Sequence, residues 1–482
     1  MSQKTDFDVL VIGAGISGVN AGYRLSTRCP GKTFAILEAR AQMGGTWDLF
    51  RYPGIRSDSD MFTLGFPFRP WNGQHAIADG ASIREYIIDT AREVGIDRYI
   101  RFSHRVERAT WSSDNGTGPG WTIEVLRGDT GEKLVFTCRF LFMCTGYYDY
   151  AGGYIPDFPG LDRYRGRVVH PQKWTDDIDY ENKRVIVIGS GATAVGLVPV
   201  VAQKARHVTM LQRSPTYMMS FPGIDPMSRF VDSRAMRVRN VGLNQAVFML
   251  CRRFPTQAKK VLIGRVKKQL QDDVDVTTHF TPRYNPWDQR LCLVRDGDLF
   301  TAINEGKVDV VTDQIDTFTE KGLRVRSGRE LEADLVVTAT GLKMLMLGGI
   351  PIIVDNKKVE VSETTMYKSA MLSGIPNMAM VLGYVNASWT LRADLTCEYV
   401  CRVLNEMERN GYRTAIPELR PNDVLDTGGS IFPLASGYVD RARSALPRQG
   451  TKRPWRNVHG YLGDMMTLRY RAVDDGVLKM AR

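Results

Sequence analysis

The stretch that decides the fold is Asp8-Val9-Leu10-Val11-Ile12-Gly13-Ala14-Gly15-Ile16-Ser17-Gly18, near the start of a 482-residue chain. Its apolar part ends in glycine, which is typical of a short buried strand. The pattern of residues 17–27 predicts a helix directly afterwards, and residues 33–37 predict a second strand that ends at Glu38. The order strand, helix, strand predicts a β-α-β unit, which begins a parallel sheet.

The glycine spacing in this unit predicts a dinucleotide site. Gly13 permits the tight turn, Gly15 lets a pyrophosphate approach the backbone, and Gly18 lets the helix pack closely on the strand. The N-terminus of the helix carries partial positive charge, which attracts the phosphates. Glu38 follows Gly18 by 20 residues, where a carboxylate accepts hydrogen bonds from an adenosine ribose but repels a 2′-phosphate.

A second unit of the same kind begins at residue 184. Its strand, residues 184–188, leads into Gly189-Ser190-Gly191-Ala192-Thr193-Ala194, with a helix expected from about Ala192 and a further strand at 208–211. This helix contains Pro199, which is expected to weaken or kink it. The last strand ends in Gln212-Arg213, and a cation there suits the 2′-phosphate of NADPH. The alternative is that Arg213 is an ordinary surface arginine.

Two dinucleotide sites of opposite charge preference imply two different dinucleotides. We expect FAD at the first site and NADPH at the second, which makes the chain an oxidoreductase. The fold expected is α/β, with two Rossmann-like dinucleotide-binding domains and a helical insertion. We expect the FAD domain at 1–146 and 341–482, the NADPH domain at 147–215 and 289–340, and the insertion at 216–288.

Other strand signals complete this organisation. Residues 105–141 predict an antiparallel meander around a turn-rich stretch at 112–120. A strand at 140–143 runs into Cys144-Thr145-Gly146, and further strands are expected at 308–311, 323–325 and 335–338.

Composition points to a cytoplasmic protein without a transmembrane segment. The most apolar stretch, residues 344–354, is short and contains two glycines and a proline. The N-terminal apolar run leads into a glycine turn, so it is not expected to be a signal peptide. The seven cysteines are scattered, which favours reduced thiols over a disulfide framework.

The formal net charge of +11 raises the question of an anionic partner. Basic residues are not interleaved with aromatic ones in any nucleic-acid-reading pattern, so no nucleic acid is expected. Residues 252–269 contain seven Lys or Arg and no acid. We expect this helix to pack on its own protein, and peripheral membrane association is the alternative. The apolar residues of one helical face are Ala258, Val261, Leu262, Val266 and Leu270.

Between the two glycine motifs lies the segment Tyr-Arg-Gly-Arg-Val-Val-His-Pro-Gln-Lys-Trp-Thr, residues 164–175. It resembles the fingerprint F-x-G-x-x-x-H-x-x-x-W-[PD] of the Baeyer–Villiger flavoprotein monooxygenases. Gly166, His170 and Trp174 match it, whereas Tyr164 and Thr175 depart from it. The alternative is that His170 and Trp174 only pack a linker.

The resemblance is closer to the EthA-type branch and spans almost the whole chain. It is carried by residues 44–60, 284–293, 374–377 and 386–390. The resemblance implies that Arg56 contacts NADPH. It also implies a set of FAD contacts, which comprises Ser17, Thr46, Trp47, Asp48, Leu49, Asp58 and Val106.

The resemblance also implies a reaction. NADPH reduces FAD, and the reduced flavin adds O2 to give a C4a-peroxide that converts ketones to esters or lactones; sulfides and thioamides are further expected substrates. A fixed cation must lie beside the reacting oxygen. Arg290 matches the family's active-site arginine, and Asp58 matches the carboxylate that holds it. Without the family match, both would be read as surface or turn residues.

Two other functions remain open at this point. One is a flavin-containing monooxygenase restricted to sulfur and nitrogen, against which Trp174 and Arg290 speak. The other is a catalytically silent flavin-binding regulatory protein. No metal is expected, because the six histidines show no ligand spacing. Cys397 and Cys401 are four residues apart and form no C-x-x-C pair.

Overall fold

The computed structural model describes residues 5–114, 116, 118–426 and 428–482. The turn-rich stretch predicted at 112–120 includes residues 115 and 117, which lie outside the described residues. The α/β fold class expected from the sequence is confirmed by two separate sheets, one with a parallel part and one that is fully parallel.

The strands, in chain order, are β1 Asp6–Ile12, β2 Phe34–Leu37, β3 Ile100–Arg101, β4 His104–Ser112, β5 Gly120–Arg127, β6 Lys133–Met143, β7 Arg167–Val169, β8 Arg184–Ile188, β9 His207–Gln212, β10 Met218–Phe221, β11 Cys292–Arg295, β12 Val308–Thr312, β13 Ile315–Thr319, β14 Gly322–Val325, β15 Glu330–Glu332, β16 Leu335–Thr338, β17 Ile352–Val354, β18 Lys357–Lys358, β19 Met366–Tyr367, β20 Met371–Leu372, β21 Met378–Met380, β22 Thr414–Pro417 and β23 Leu478–Ala481.

The α-helices, in chain order, are α1 Ile16–Arg28, α2 Thr46–Leu49, α3 Met61–Leu64, α4 Gly80–Glu93, α5 Ala192–Val201, α6 Ser233–Arg253, α7 Pro255–Lys267, α8 Val276–Phe280, α9 Asp298–Asn304, α10 Trp389–Asn410, α11 Gly437–Ala442 and α12 Tyr461–Met465.

The first sheet combines a parallel and an antiparallel part. Its parallel part runs β21, β6, β1, β2, β3, and its antiparallel part is the predicted meander β4, β5, β6. The long strand β6 belongs to both, because its first half pairs with β5 and its second half with β1. Strand β17, from late in the chain, adds to β4, and α10 packs against α1.

The second sheet is fully parallel and runs β12, β9, β8, β16, β7. The predicted strand and helix starts of the second β-α-β unit agree with the structure, since β8 begins at Arg184 and α5 at Ala192. Pro199 lies in the last turn of α5. Its missing N–H therefore costs one hydrogen bond near the end of the helix instead of breaking its middle.

The segment expected to be helical differs from that expectation in two ways. It contains the strand β10, which pairs in parallel with β11. Because its partner lies about seventy residues later, no local pattern could reveal this pairing. The second difference is Val261, which is exposed while Leu262 and Val266 are buried. Helix α7 thus packs through a narrower face than expected.

The loop before α3 contacts helix α5 of the second β-α-β unit through backbone atoms. A Cβ on Gly54 would lie 2.1 Å from the carbonyl oxygen of Gly196 in α5, so this loop of the first domain lies directly on the second. Among the described residues, none of the helices combines the length and apolar character needed to cross a membrane.

Candidate active site

A cavity of about 1310 Å³ extends from the first glycine motif to the second. It is larger than the ~300–1,000 Å³ of a typical single small-molecule site. Gly13 and Gly15 line one end, Gly189 and Gly191 the other, and Arg290 lies on the wall. The cavity therefore joins the carboxyl ends of both parallel sheets, where open α/β sheets bind their ligands.

The first glycine motif has the geometry of a pyrophosphate cradle. Gly13 has φ +103°, and a Cβ there would lie 2.7 Å from the carbonyl oxygen of Cys144. A Cβ on Gly18 would lie 1.9 Å from the carbonyl oxygen of Gly13, so only glycine allows α1 to pack this closely. Gly15 is the N-cap of α1 and lines the cavity. These residues fit the phosphates of FAD.

Glu38 lines the cavity at the end of β2. Its Oε2 accepts a hydrogen bond from the Ala14 N–H at 2.7 Å, and its Oε1 accepts one from the Arg40 N–H at 2.9 Å. Burial raises the pKa of the Glu38 carboxyl, and these two N–H groups partly oppose the shift. The side chain thus stabilises the glycine turn itself, and a hydrogen bond to a ribose stays a prediction.

The remaining FAD candidates divide into two groups. Ser17, Thr46, Trp47, Asp58 and Val106 line the cavity, whereas Asp48 and Leu49 do not. The carboxylate of Asp48 is nearly inaccessible, because three arginines surround it: Arg40, Arg51 and Arg84. These ion pairs hold the shape of the loop, and contact of Asp48 and Leu49 with FAD stays a prediction.

The second motif repeats the same backbone design. Gly189 has φ +132°, and a Cβ there would lie 2.3 Å from the carbonyl oxygen of Ala339. Gly191 faces open space at the start of α5. Ser190, Ala192 and Thr193 line the cavity. Ala194, at the third position of the motif, is buried in the core between α5 and the second sheet. A small residue there lets helix and strand pack closely.

At the carboxyl end of β9, the next residue Arg213 lines the cavity, whereas the last strand residue Gln212 does not. It is exposed and makes no ion pair within the described part of the chain. Gln212 points to the opposite face, where its Nε2 donates to the carbonyl oxygen of His279 and to Thr312 Oγ1. The two side chains differ because alternate side chains of a strand point to opposite faces. Contact between Gln212 and NADPH stays a prediction.

Arg56 lines the cavity between the two motifs, with its guanidinium nearly buried. It forms an ion pair with Asp298 of α9 and donates to the carbonyl oxygen of Val195 in α5 at 3.3 Å. Its charge is therefore already neutralised by the second domain. Contact between Arg56 and NADPH remains a prediction.

The structure brings Arg290 and Asp58 together although 232 residues separate them. Arg290 Nη2 donates to Asp58 Oδ1 at 3.0 Å, and both line the cavity. Burial alone would lower the pKa of the Arg290 guanidinium, but Asp58 and nearby tyrosines raise it above its usual value. The cavity therefore contains a permanent cation whose orientation is set by a carboxylate.

Three tyrosines around Arg290 were not found from the sequence. Tyr147, Tyr148 and Tyr438 line the cavity, and the hydroxyls of Tyr147 and Tyr148 are 3.3 Å apart. Burial raises the pKa of Tyr148 and Tyr438, so these hydroxyls remain protonated donors. Tyr147 and Tyr148 follow the carboxyl end of β6 after a three-residue turn that also lines the cavity, and this position could have indicated them. Nothing local could indicate Tyr438 of α11.

The loops that hold Arg290 and Asp58 are supported by the helical insertion. Asp60, two residues after Asp58, accepts hydrogen bonds from the side-chain amides of Asn240 and Asn244 in α6, at 3.0 and 3.3 Å. On the other side, Trp287 packs edge-on against Phe248 of α6, with ring centroids 5.3 Å apart. Helix α6 thus contacts the loops of both charged residues.

The fingerprint residues Gly166, His170 and Trp174 do not line the cavity. His170 Nε2 lies 3.1 Å from the carbonyl oxygen of Gly341, and the Gln172 N–H donates to His170 Nδ1. Burial lowers the pKa of His170, so the ring is a neutral donor at neutral pH. Because Gly341 follows β16 and also bonds Tyr154, His170 joins the two segments that connect the sheets.

Comparison with known proteins identifies the family of the chain. Residues 65–411 match the family described as flavin-binding monooxygenase-like, and residues 11–73 match an NAD(P)-binding Rossmann-like domain. The FAD-containing monooxygenase EthA of Mycobacterium tuberculosis is 50% identical over 484 aligned positions, which cover 98% of each chain. This identity confirms the resemblance to the EthA-type branch.

Solved structures share the fold. An oxidised steroid monooxygenase bound to NADP matches with a TM-score of 0.72 and 25% identity, over 86% of this chain and 88% of its own. OTEMO in complex with FAD and NADP matches over 99% and 100% with a TM-score of 0.74 and 20% identity. Identity to EthA and the family match together lead to one conclusion: the chain belongs to the flavin-binding monooxygenase-like family.

Proposed function

We propose that the protein is an FAD-containing, NADPH-dependent Baeyer–Villiger monooxygenase that converts ketones to esters or lactones and also oxygenates sulfides or thioamides. The observation that carries this proposal is the Arg290–Asp58 pair, which lies in the same cavity as both dinucleotide motifs. A cavity with only nucleotide sites would suit many oxidoreductases. The oriented cation adds a group that stabilises negative charge on oxygen.

Each cofactor has residues that fit it. The first motif would hold FAD, with Gly15 at the pyrophosphate and Glu38 close to the ribose. The second would hold NADPH, with Arg213 at the 2′-phosphate. When bound and reduced by NADPH, the flavin supplies the activation of O2. The structural relatives that were solved with FAD and NADP support this assignment.

The protein side of the reaction is electrostatic. Arg290 provides a positive charge at every working pH, and the carboxylate of Asp58 prevents the guanidinium from swinging away. Its planar N–H groups can stabilise an oxygen that gains negative charge during ketone oxygenation. The rings of Tyr147 and Trp389, with centroids 5.3 Å apart, form an apolar wall in the same cavity. Such a wall suits an apolar ketone and restricts water.

A panel of substrates tests this proposal. Purified holoenzyme is incubated with NADPH and ¹⁸O₂ and with linear ketones, cyclic ketones, a sulfide and a thioamide, and products are identified by mass spectrometry. We expect an ester or lactone that carries one ¹⁸O atom. Sulfur oxygenation without any ester would support the restricted flavin-containing monooxygenase instead. A flavin that NADPH does not reduce, with or without substrate, would support the catalytically silent regulatory protein.

A further inference from the structure

Two helices of the insertion and the turn after them carry a net charge almost equal to that of the whole chain. Residues 233–270, which comprise α6, α7 and the turn after them, contain ten Lys or Arg and no Asp or Glu. The whole chain has a formal net charge of +11, so the other 444 residues together carry only +1. This concentration of charge is a property of one surface and not of the whole protein.

Four of the ten cations have partners inside the protein. Arg237 donates to carbonyl oxygens of the loop around α3, Arg239 and Arg252 pair with aspartates, and Lys259 donates to the carbonyl oxygen of Pro282. The other six are exposed and form no ion pair among the residues that the structure describes. They are Arg234, Arg253, Lys260, Arg265, Lys267 and Lys268.

The same two helices expose large apolar side chains. Val238 is 74% exposed and Met249 is 61% exposed, and their spacing of eleven residues places them on one face of α6. Where α6 meets α7, Leu250 and Phe254 are also about half exposed, beside Arg253. In α7, Val261 is 55% exposed. We call these apolar and basic residues of α6 and α7 the outer face.

The inner faces of both helices are already used. Asn240 of α6 bonds the Asp60 carboxylate, and Leu262 and Val266 of α7 are buried in the protein. The apolar residues of the outer face therefore do not complete a core. A surface that combines exposed large apolar side chains with Lys or Arg and no acid suits a membrane interface.

We propose that the outer face docks on the surface of an anionic lipid bilayer, with Val238, Met249 and Phe254 entering the boundary between headgroups and acyl chains. Charge complementarity favours this occupant over a second copy of the chain, because two copies would bring six unpaired cations against six others. Anionic headgroups attract the same cations, each by about fivefold in affinity.

Vesicle flotation with the full-length holoenzyme tests the proposal. Vesicles of phosphatidylcholine with 30% phosphatidylglycerol are compared with vesicles of phosphatidylcholine alone, at low and high salt. We expect flotation with the anionic vesicles and its loss at high salt. The readout is binding and needs no turnover, so it can succeed or fail independently of the proposed ketone oxygenation.

Matched variants locate the surface. Lys260→Gln, Arg265→Gln, Lys267→Gln and Lys268→Gln combined should weaken binding more than about a hundredfold. The control removes the same charge from exposed lysines on other elements and should bind like the wild type. It combines Lys133→Gln, Lys321→Gln, Lys357→Gln and Lys479→Gln. Equal losses in both variants would contradict the proposal, because they would show an effect of net charge alone.

The apolar contribution has its own pair of variants. Val238→Gln with Met249→Gln should weaken vesicle binding and leave the flavin content unchanged, whereas Leu419→Gln with Val424→Gln, exposed elsewhere, should bind normally. Sedimentation velocity tests the alternative that a second copy of the chain binds this face. A dimer that is lost in Val238→Gln with Met249→Gln, together with no flotation of the wild type, would show that this face binds a second copy and would overturn the proposal.

Discussion

At the scale of single residues, selectivity for NADPH depends on Arg213. It follows β9, lines the cavity and has no ion-pair partner among the described residues, so its charge is free for a phosphate. A charge-assisted contact of this kind contributes ~1.5–3 kcal/mol, or about ten- to a hundredfold in affinity.

Arg213→Ala should therefore raise the KM for NADPH about ten- to a hundredfold and leave the KM for NADH nearly unchanged. Arg206 provides a matched control, because it is exposed and lies directly before the other end of the same strand. Steady-state kinetics with both cofactors measures the effect. If Arg213→Ala affected NADPH and NADH equally, or if Arg206→Ala behaved like Arg213→Ala, Arg213 would not read the 2′-phosphate.

For some single residues, the sequence did not predict which way the side chain points. Arg213 and Gln212 are neighbours in the sequence, but only the strand's true register tells which side chain faces the cavity. Asp48 matched a family motif, and three arginines turn out to enclose it. In both cases the sequence identified the correct segment, whereas the direction of the side chain depended on tertiary contacts.

At the scale of elements, the two glycine motifs should be separable by mutation. A side chain at Gly15 would fill the space next to Gly45, whereas Gly191 has no neighbour within 4 Å of an added Cβ. Each substitution blocks the space in front of one helix N-terminus.

Gly15→Leu should give colourless protein, and Gly191→Leu should stay yellow but no longer be reduced by NADPH. Flavin absorbance of the purified variants, followed by anaerobic addition of NADPH, measures both outcomes. Gly31→Leu, at an exposed glycine without neighbours, controls for the substitution itself. Full flavin content in Gly15→Leu would contradict the assignment of FAD to the first motif.

The loop 384–386 beside the cavity is held by His459, which should make stability depend on pH. The Val385 N–H donates to His459 Nδ1, and His459 Nε2 donates to the carbonyl oxygen of Ile431, so the ring is neutral. Burial lowers the pKa of His459 to about 3, below the value of about 6.5 of an unfolded chain. In this window the unfolded state binds more protons, so stability falls as the pH decreases from 6.5 towards 3.

This histidine should account for a loss of about 2 kcal/mol in the free energy of unfolding between pH 7 and pH 5. His459→Gln cannot titrate and should show a smaller loss over the same range. Guanidinium unfolding at both pH values measures the difference. An identical pH dependence in the wild type and the variant would exclude His459 as the source.

Elements were the most predictable level. The start of α5, the start of β8 and the meander β4–β6 were predicted closely, because apolar runs, glycine turns and alternation are local signals. Strand β10 was not predicted, since it depends on pairing with β11 far along the chain. Exposure of the α7 residue Val261 was missed for the same reason, because it depends on what lies opposite the helix.

At the scale of the whole molecule, the candidate active site forms because distant segments converge. Asp58 comes from the first domain, Arg290 from the segment before β11, and Tyr438 from α11. Helix α6 contacts the loops of Asp58 and Arg290 from behind. The pairing of Arg290 with Asp58 was expected only through resemblance to a family, since neither residue stands out by composition or periodicity.

We propose that Arg290 acts on oxygen and not on hydride transfer. Reduction of the flavin needs no cation at the oxygen site, whereas negative charge develops there only afterwards. Loss of one preorganised donor costs ~3–4 kcal/mol, or about 10²–10³ in rate. Arg283, an exposed arginine seven residues earlier in the chain, gives the matched control.

The most direct test is therefore rapid mixing of Arg290→Ala with NADPH, first without and then with O₂ and a ketone. Absorbance follows flavin reduction, and chromatography of quenched samples follows ester formation. We predict that Arg290→Ala is reduced at nearly the wild-type rate but forms ester about 10²–10³ times more slowly, while Arg283→Ala is normal in both steps. Ester formation by Arg290→Ala at the wild-type rate would contradict the account.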